Sequence, residues 1–512
     1  MAMSVVPTPE SPVRLVGAGR GAAADLGAFV VDIADPPGPN EKKQSAASPA
    51  ESFSHPSSDD EEPFKEGGYG WVVVLAVHML NAHTWGINSS FAVFLAYYLR
   101  TGSFVGASPI AYAFVGGLSV SIALFVSPSG TYLIGKYGTK KVMSLGVVIQ
   151  TSAFIGASFT SEMWHLILTQ GIAFGAGMGF LFVASVGIPS QWFTKRRSLA
   201  NGIAAAGSGF GGLIYSMGTN AMIKNLGLPW TFRILAALTF VVAGVCTLLI
   251  RDRNAHVGAV HIALHWDLFK RPEYCMLLSW ACFSSFGYLS VIFFLADYCQ
   301  TVGFTATQGA IVAAMFNLSQ GLGRPLVGLA SDRYGRINVA GLGTLVASLS
   351  SFFLWIFAGK FFAGVIIFSL MGVFSGIFWA TAAPICAEVV NISLLPSALS
   401  LMWLVLVLPS TFAGAIGLSL RAPGSGGYLP VQLFNGACYF IAFASGWALR
   451  GWKMRENSLL AKSQIETTSN RDAVPAGVDH VHQAMYLGTS EETESLGKYL
   501  MRGEWIFSVC RI

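Results

Sequence analysis

Residues 328–336 read Gly-Leu-Ala-Ser-Asp-Arg-Tyr-Gly-Arg and separate two long apolar stretches of the chain. The glycines allow a tight turn between two helices, and Asp332 is spaced to pair with Arg333 or Arg336. A similar segment, Thr-Tyr-Leu-Ile-Gly-Lys-Tyr-Gly-Thr-Lys-Lys, occupies residues 131–141. One such segment is an ordinary helix-turn-helix with anchoring charges, whereas two at equivalent places indicate an internal repeat.

Twelve apolar stretches surround these two segments. The chain of 512 residues is 53% hydrophobic and only 11% charged, which is the composition of a membrane protein. Each stretch has the roughly 20 residues that a helix needs to cross about 30 Å of hydrocarbon. The predicted transmembrane helices are 72–98, 108–133, 142–160, 164–188, 199–222, 231–250, 274–297, 307–330, 339–358, 361–385, 397–420 and 430–449.

The widest polar break, residues 251–273, divides these helices into two sets of six. The sequence therefore predicts an all-α membrane protein made of two six-helix bundles, at 66–250 and 274–450, joined by a central cytosolic loop. Residues 1–65 are rich in Pro, Ser, Ala and Gly and cannot bury enough apolar surface to fold alone, so we expect a disordered tail. Residues 451–512 are predicted to form a second cytosolic tail.

Lysine and arginine are concentrated in alternate loops. Because these residues are retained on the cytoplasmic side of a membrane, the bias predicts that both termini are cytoplasmic. The basic loops contain Lys136, Lys140, Lys141, Lys195, Arg196, Arg197, Arg251, Arg253, Lys270, Arg271, Arg333 and Arg336, and the opposite loops contain only Arg100, Lys224, Arg233, Lys360 and Arg421.

The sequence contains no motif for catalysis or metal binding. Its seven cysteines include no Cys-x-x-Cys pair, and it has no phosphate-binding Gly-Lys-Ser loop, no Gly-x-Ser-x-Gly elbow and no His-Glu-x-x-His. We therefore predict no enzyme activity, no cofactor, no metal ion and no nucleic-acid partner, and a chain that is surrounded by lipid.

Arg324 lies in the middle third of the eighth predicted helix, roughly 12 Å from Asp332 at helical rise. A charged side chain deep in a membrane normally faces a cavity and has a partner, because its burial costs several kcal/mol. Its own helix offers Gln320 one turn away but no carboxylate. An anionic substrate bound through the planar guanidinium is one partner, and a carboxylate of another helix, such as Asp297 or Glu388, is the alternative.

A polar stripe follows the first predicted helix. His78, Asn81, Trp85, Asn88 and Ser89 fall within about 100° of arc at 3.6 residues per turn, and such a stripe normally faces the interior of a bundle. Lining of a substrate path and hydrogen bonding between helices explain the stripe equally well. His78 is a candidate for proton handling.

The segment at 328–336 resembles the signature loop of the major facilitator superfamily. The earlier segment departs from that signature, with Thr131 and Gly135 where the superfamily usually has Gly and Asp. The resemblance implies two six-helix bundles around a central cavity that opens alternately to each side of the membrane. It also implies a cytosolic gate, for which the predicted residues are Gly328, Asp332, Arg333 and Arg336.

Two further segments resemble signatures of the monocarboxylate transporter family, and their residues are most similar to those of its fungal branch. Glu-Gly-Gly-Tyr-Gly-Trp opens the first predicted helix at 66–71. Before the fifth predicted helix, residues 189–209 carry a proline, an aromatic pair, basic residues and then small residues at helical spacing. Arg324-Pro325 matches the substrate-coordinating Arg-Pro of that family. Gln320 and Ser89 stand where its animal members have the Asp and Lys linked to proton coupling.

The sequence therefore predicts a secondary-active or facilitative transporter for a small organic solute, most simply a monocarboxylate or related organic anion, with protons as a possible co-substrate. The predicted substrate-binding residues are Arg324, Asn81, Asn88 and Ser89. The alternatives are an efflux carrier for a secondary metabolite, a riboflavin-type facilitator and a transporter-like nutrient sensor. The resemblance favours the plasma membrane, with a vacuolar location as the alternative.

Overall fold

The computed structural model describes residues 66–102, 108–421 and 427–473, so the predicted N-terminal tail and the chain beyond 473 lie outside the described residues. The described residues form twelve consecutive helices, several of them broken into segments, and no strand. The first six are α1 (Tyr69–Asn81, Ala82–Gly86, Ile87–Ser89 and Phe91–Thr101), α2 (Pro109–Phe125 and Ser127–Tyr137), α3 (Thr139–Ala157), α4 (Met163–Leu166, Ile167–Ala173, Phe174–Ser185 and Ile188–Trp192), α5 (Arg197–Leu226) and α6 (Leu228–Leu249).

A polar segment with one short 3-10 turn at Trp266–Lys270 leads to the second six helices. These are α7 (Pro272–Thr301), α8 (Ala306–Tyr334), α9 (Arg336–Leu349, Ser350–Trp355 and Ile356–Ala358), α10 (Phe362–Leu370, Gly372–Ser375 and Ile377–Val390), α11 (Leu395–Val405 and Val407–Leu420) and α12 (Leu429–Ala473). Each predicted apolar stretch overlaps one of the twelve. The last helix differs most, because it continues from the predicted end at 449 to Ala473.

Six of these helices are each long and apolar enough to cross a membrane, namely α4, α6, α7, α9, α10 and α11. A seventh, α2, meets the same standard if its segments Phe114–Phe125 and Ser127–Tyr137, bent by 41°, are one span. The remaining five are α1, α3, α5, α8 and α12. Glycine and polar side chains make α5 and α8 less apolar, and these are the two helices that pack most closely across the molecule.

The two halves, α1–α6 and α7–α12, meet where α5 crosses α8. A Cβ built on Gly209 would lie 2.6 Å from the backbone nitrogen of Gly321, and one built on Gly328 would lie 2.9 Å from Cα of Leu199. Only glycine permits backbones to approach so closely in a membrane bundle. Farther along α5, a Cβ on Gly218 would have no neighbour within 4 Å. The close contact is therefore confined to one part of the α5–α8 crossing.

The loops rich in Lys and Arg lie together at one end of the bundle, which we call the basic end. Asn254 of the central loop hydrogen-bonds there to Gln191 of α4 and to Thr139 of α3. Arg251 lies over the ring of Tyr69 at 4.5 Å, and Arg253 lies over the ring of Trp192 at 4.1 Å. These contacts fix the central loop against the first half.

The two sequence signatures of the first half also meet at the basic end. The Glu66 carboxylate accepts hydrogen bonds from the backbone N–H groups of Thr194 and Arg196, at 3.2 and 2.7 Å. The rings of Trp71 and Phe193 are 4.7 Å apart. Gly67 and Gly68 have φ of 99° and 58°, so this turn requires glycine. The first signature therefore holds the α4–α5 loop in place.

Candidate functional site

A cavity of about 890 Å³ lies between the two halves. Its walls come from α1, α2, α4 and α5 of the first half and from α7, α8, α10 and α11 of the second, which are the equivalent helices of an internal repeat. It extends from Arg324 and Asn201 to Leu95 of α1 and Leu418 of α11, toward the end opposite the basic loops. The lining is largely apolar, with a few polar side chains placed among aromatic rings.

All four predicted binding residues line this cavity. Asn81 donates to the carbonyl of Ala204 on α5 at 3.0 Å. The carbonyl oxygen of Asn88 accepts from the Ser119 hydroxyl of α2 at 2.7 Å, and Ser89 donates to the Trp85 carbonyl in its own helix. Each of these three side chains of the polar stripe therefore borders the cavity and also makes a hydrogen bond.

The guanidinium of Arg324 is surrounded by neutral groups from both halves. On α5 it donates to the Ala205 carbonyl at 2.7 Å and to the Ser208 hydroxyl. On the second half it donates to Gln320 at 2.5 Å and to the Tyr288 hydroxyl at 3.5 Å. Its Nε has no partner, and the residue is 2% exposed. Within the described residues, no carboxylate lies within ion-pair distance of this buried cation.

The two carboxylates considered as structural partners of Arg324 are paired elsewhere. Asp297, near the end of α7, pairs with Arg421 at 2.9 Å and accepts from the Tyr428 hydroxyl. Glu388 of α10 pairs with Arg336 at the basic end. In this conformation neither residue compensates the charge of Arg324.

His78 lies away from the cavity lining, between α1 and α5. Its Nδ1 is 2.7 Å from the Ile203 carbonyl, and its ring is 6.1 Å from that of Phe210. The backbone of His78 also fills the space beside Gly207, where a Cβ would collide with it. The structure thus gives His78 a packing position within the first half.

The basic end is closed by hydrogen bonds between the halves. Asp332, at the end of α8, accepts from the backbone N–H groups of Ser198 and Leu199 at 2.9 and 2.8 Å. These are the first N–H groups of α5, which have no acceptor within their own helix and which carry the positive end of its dipole. Arg336 donates to the Thr194 carbonyl at 2.8 Å and pairs with Asp332. We call these contacts the latch.

Of the four predicted gate residues, the structure brings three together. Asp332 and Arg336 form the latch, and Gly328 permits the approach of α5, since a Cβ there would collide with the Ser198 carbonyl. Arg333 is exposed and lies 5.5 Å from the ring centre of Tyr334.

The central loop covers the place where the first half lacks a latch carboxylate. Residues 260–263, which we call the strap, cross the start of α11. Val260 donates to the Ser393 carbonyl at 2.8 Å, and Ile262 donates to the Ser397 hydroxyl at 2.9 Å. Ser397 and Ser400 donate in turn to carbonyls of the strap at 2.7 and 2.8 Å.

His261 of the strap packs against the end of α2. A Cβ built on Gly135 would lie 2.8 Å from Cβ of His261, so a carboxylate side chain at 135 would compete with the strap for this space. Burial lowers the pKa of His261 below its ordinary value of 6.5, and a backbone hydrogen bond at Ala259 and the charge of Asp252 partly oppose that shift. The strap therefore holds this imidazole in its neutral form.

Several residues of the cavity escaped the sequence analysis. Tyr288, Ser208 and Asn317 come from three different helices. In the sequence alone, nothing distinguishes each of them from the other residues of its helix. Aromatic rings from α1, α4, α7, α10 and α11 also meet at the cavity, and no periodicity within one helix could show that.

Comparisons with known proteins agree with this architecture. Residues 74–312 match the family described as Major Facilitator Superfamily. Probable transporter MCH2 of Saccharomyces cerevisiae is 30% identical over 431 residues, which cover 82% of this chain and 90% of that protein. Aspyridones efflux protein apdF of Emericella nidulans is 28% identical over 331 residues, which cover 64% of this chain and 66% of that protein.

The fold also matches a solved structure. The crystal structure of the superfamily transporter FucP in the outward conformation aligns with a TM-score of 0.55 at 15% identity, covering 74% of this chain and 99% of FucP. At that identity the match concerns the fold alone. It confirms the predicted all-α architecture of two six-helix bundles.

Proposed function

This chain belongs to the major facilitator superfamily of small-solute transporters, and on that premise we propose that it carries an organic anion, most simply a monocarboxylate or a related acid. Transport proceeds by alternating access, with the anionic group held at Arg324. Asn81, Asn88 and Ser89 line the path of the solute.

The observation that carries this proposal is the uncompensated charge of Arg324. A buried guanidinium at membrane depth is costly and normally has an anionic partner. Here it has only neutral acceptors and a free Nε, and it borders the cavity. A carboxylate that enters the cavity supplies the missing charge through charge-assisted hydrogen bonds.

The conformation described is one end state of the cycle. The latch and the strap hold the basic end closed, while the cavity extends toward the opposite end. With the basic end in the cytoplasm, as the lysine and arginine bias predicts, this is an outward-facing state in the plasma membrane. Inward opening requires Asp332 to leave the first turn of α5.

Arg324 couples binding to this movement. Two of its acceptors, the Ala205 carbonyl and the Ser208 hydroxyl, belong to the first half, so the guanidinium helps to hold α5 against α8. A bound carboxylate competes for the same N–H groups. Anion binding therefore weakens one contact between the halves and favours rearrangement.

A second candidate, supported by the relatives, is an efflux carrier for a secondary metabolite. One similar protein is described as an aspyridones efflux protein. The cavity also has room for a solute of drug size, since such ligands occupy pockets of about 300–1,000 Å³. Export and import by alternating access use the same binding site, so this candidate changes the solute and the direction but keeps Arg324 in its role.

The test is counterflow in liposomes that contain the purified protein, with a panel of labelled monocarboxylates, riboflavin and a hydrophobic organic acid. We expect saturable flux of at least one acid. Dependence of that flux on an imposed pH gradient would establish proton coupling despite Gln320, whereas independence would indicate a facilitator or exchanger. Flux of riboflavin with no flux of any acid would contradict the proposal that the solute is an organic anion.

A further inference from the structure

Five aromatic residues that line the cavity are joined by ring contacts: Trp85, Phe182, Tyr288, Trp379 and Trp403, which we call the aromatic cluster. The ring centres of Trp379 and Trp403 are 5.9 Å apart with planes only 4° apart. Trp85 of α1 lies 5.4 Å from Trp379, so the cluster joins the two halves. Trp85 and Trp379 are half-buried, and Trp403 is buried behind them.

The three indoles of the cluster have unpaired donors. The Nε1 atoms of Trp85, Trp379 and Trp403 are buried and have no hydrogen-bond partner. A buried N–H group without an acceptor costs about 1–3 kcal/mol, and most buried polar groups in proteins are paired. Because these Nε1 atoms have no exposed surface, the three indoles offer ring carbon surface to the cavity.

The aromatic cluster adjoins the cationic group. The Tyr288 hydroxyl donates to Gln320 at 2.8 Å and accepts from Arg324 at 3.5 Å, and the Tyr288 ring lies 5.9 Å from that of Trp379. A ligand anchored at the guanidinium therefore has ring surface next to it. An acid of three or four carbons would occupy only the neighbourhood of Arg324 and leave that surface uncovered.

We propose that the solute is a bulky planar organic anion, whose carboxylate or equivalent group binds Arg324 while its conjugated ring system lies on Trp85 and Trp379. This inference rests on the proposed function and narrows it, because it excludes short aliphatic acids as the preferred solutes. The physical basis is the preference of aromatic rings for offset or edge contacts with other aromatic rings.

The test is binding of matched compounds to the purified protein by calorimetry: 2-naphthoate, lactate and the neutral 2-naphthamide. We expect 2-naphthoate to bind at least about tenfold more tightly than lactate. Trp379→Leu should remove the preference for 2-naphthoate, and Trp379→Phe should retain most of it. Trp164→Leu, at a side chain that is 58% exposed and outside the cavity, is the control and should change nothing.

The possible failures are distinguishable. If lactate binds as tightly as 2-naphthoate, or if Trp379→Leu and Trp379→Phe both keep the full preference, the inference is wrong while the proposed anion site stands. If 2-naphthamide binds as tightly as 2-naphthoate, the anion site at Arg324 is wrong as well. Absence of 2-naphthoate binding would also overturn the inference. Size-exclusion profiles of the variants show whether each remains folded.

Discussion

At the scale of single residues, the pairing of Arg324 with Gln320 sets the electrostatics of the cavity. The Gln320 side chain offers an oxygen to the guanidinium at 2.5 Å but adds no charge. The positive charge therefore remains available to a solute, and the solute does not have to displace a carboxylate.

Replacing this neutral partner by an acid gives a sharp prediction. Gln320→Glu keeps the size of the side chain and places a carboxylate beside Arg324, so it should compete with the anionic solute. We expect solute affinity at neutral pH to fall by at least about tenfold and to recover as the pH is lowered and the new acid is protonated. Titration calorimetry across the pH range measures this. Gln308→Glu, the same change at the start of α8 outside the cavity, is the control.

Arg324 was predicted from the sequence because a charged residue inside an apolar helix is costly to bury. Asn81, Asn88 and Ser89 were predicted because they share one face of one helix. Ser208 and the indoles of α10 and α11 could not be predicted, because their importance comes from helices that are distant in sequence and meet only in the folded bundle.

At the scale of elements, the latch depends on one helix end supplying a carboxylate to the start of another helix. Asp332→Asn keeps one oxygen but removes the negative charge from the positive end of α5, which should weaken closure by about 1–3 kcal/mol. We expect spin labels on Lys195 and Tyr334, both exposed at the basic end, to show a larger fraction of long distances in this variant. Arg333→Ala is the matched control, and an equal opening in that variant would contradict the latch.

We predict that docking of the strap depends on pH. Because the docked strap holds His261 neutral with a lowered pKa, docking loses free energy as the pH falls below about 6.5, and the loss levels off below the docked pKa. Hydrogen exchange of the Val260 and Ile262 amides, corrected for the intrinsic effect of pH, should therefore accelerate between about pH 7.5 and about pH 5.5. His261→Gln should abolish this dependence. Equal protection at both pH values in the unmodified protein would refute the role given to the strap.

The two repeats differ in a way that sequence could show only in part. The sequence itself shows that the first repeat has Gly135 where the second has the carboxylate of Asp332. Residues of the central loop occupy the space beside Gly135. This position could not be predicted, because the strap has no periodic pattern and its hydrogen bonds use backbone groups.

At the scale of the whole molecule, the close crossing of α5 and α8 joins the two halves near the basic end. Farther from that end, space remains between the halves. Gly209→Ala would place a Cβ 2.6 Å from the Gly321 nitrogen and 2.7 Å from the Asn317 carbonyl, so the helices must separate. We expect slower solute flux, by about tenfold, with the fold retained. Gly218→Ala, where a Cβ has no neighbour within 4 Å, should transport normally, and comparable losses in both variants would contradict this account.

The number of helices and the division into halves followed from the sequence because length and hydropathy act on each helix separately. The conformation could not be predicted from the sequence. Which end is closed depends on small differences between contacts such as the latch and the strap, and these contacts join residues more than a hundred positions apart.

The central claim, transport of an organic anion held at Arg324, is tested most directly by counterflow of one acid that the unmodified protein carries. We predict that Arg324→Ala loses at least about thirtyfold in flux while remaining folded in the liposome membrane, because the variant cannot compensate the charge of the solute. Arg100→Ala, an exposed arginine at the end of α1 outside the cavity, should transport normally. Undiminished flux through Arg324→Ala would contradict the claim.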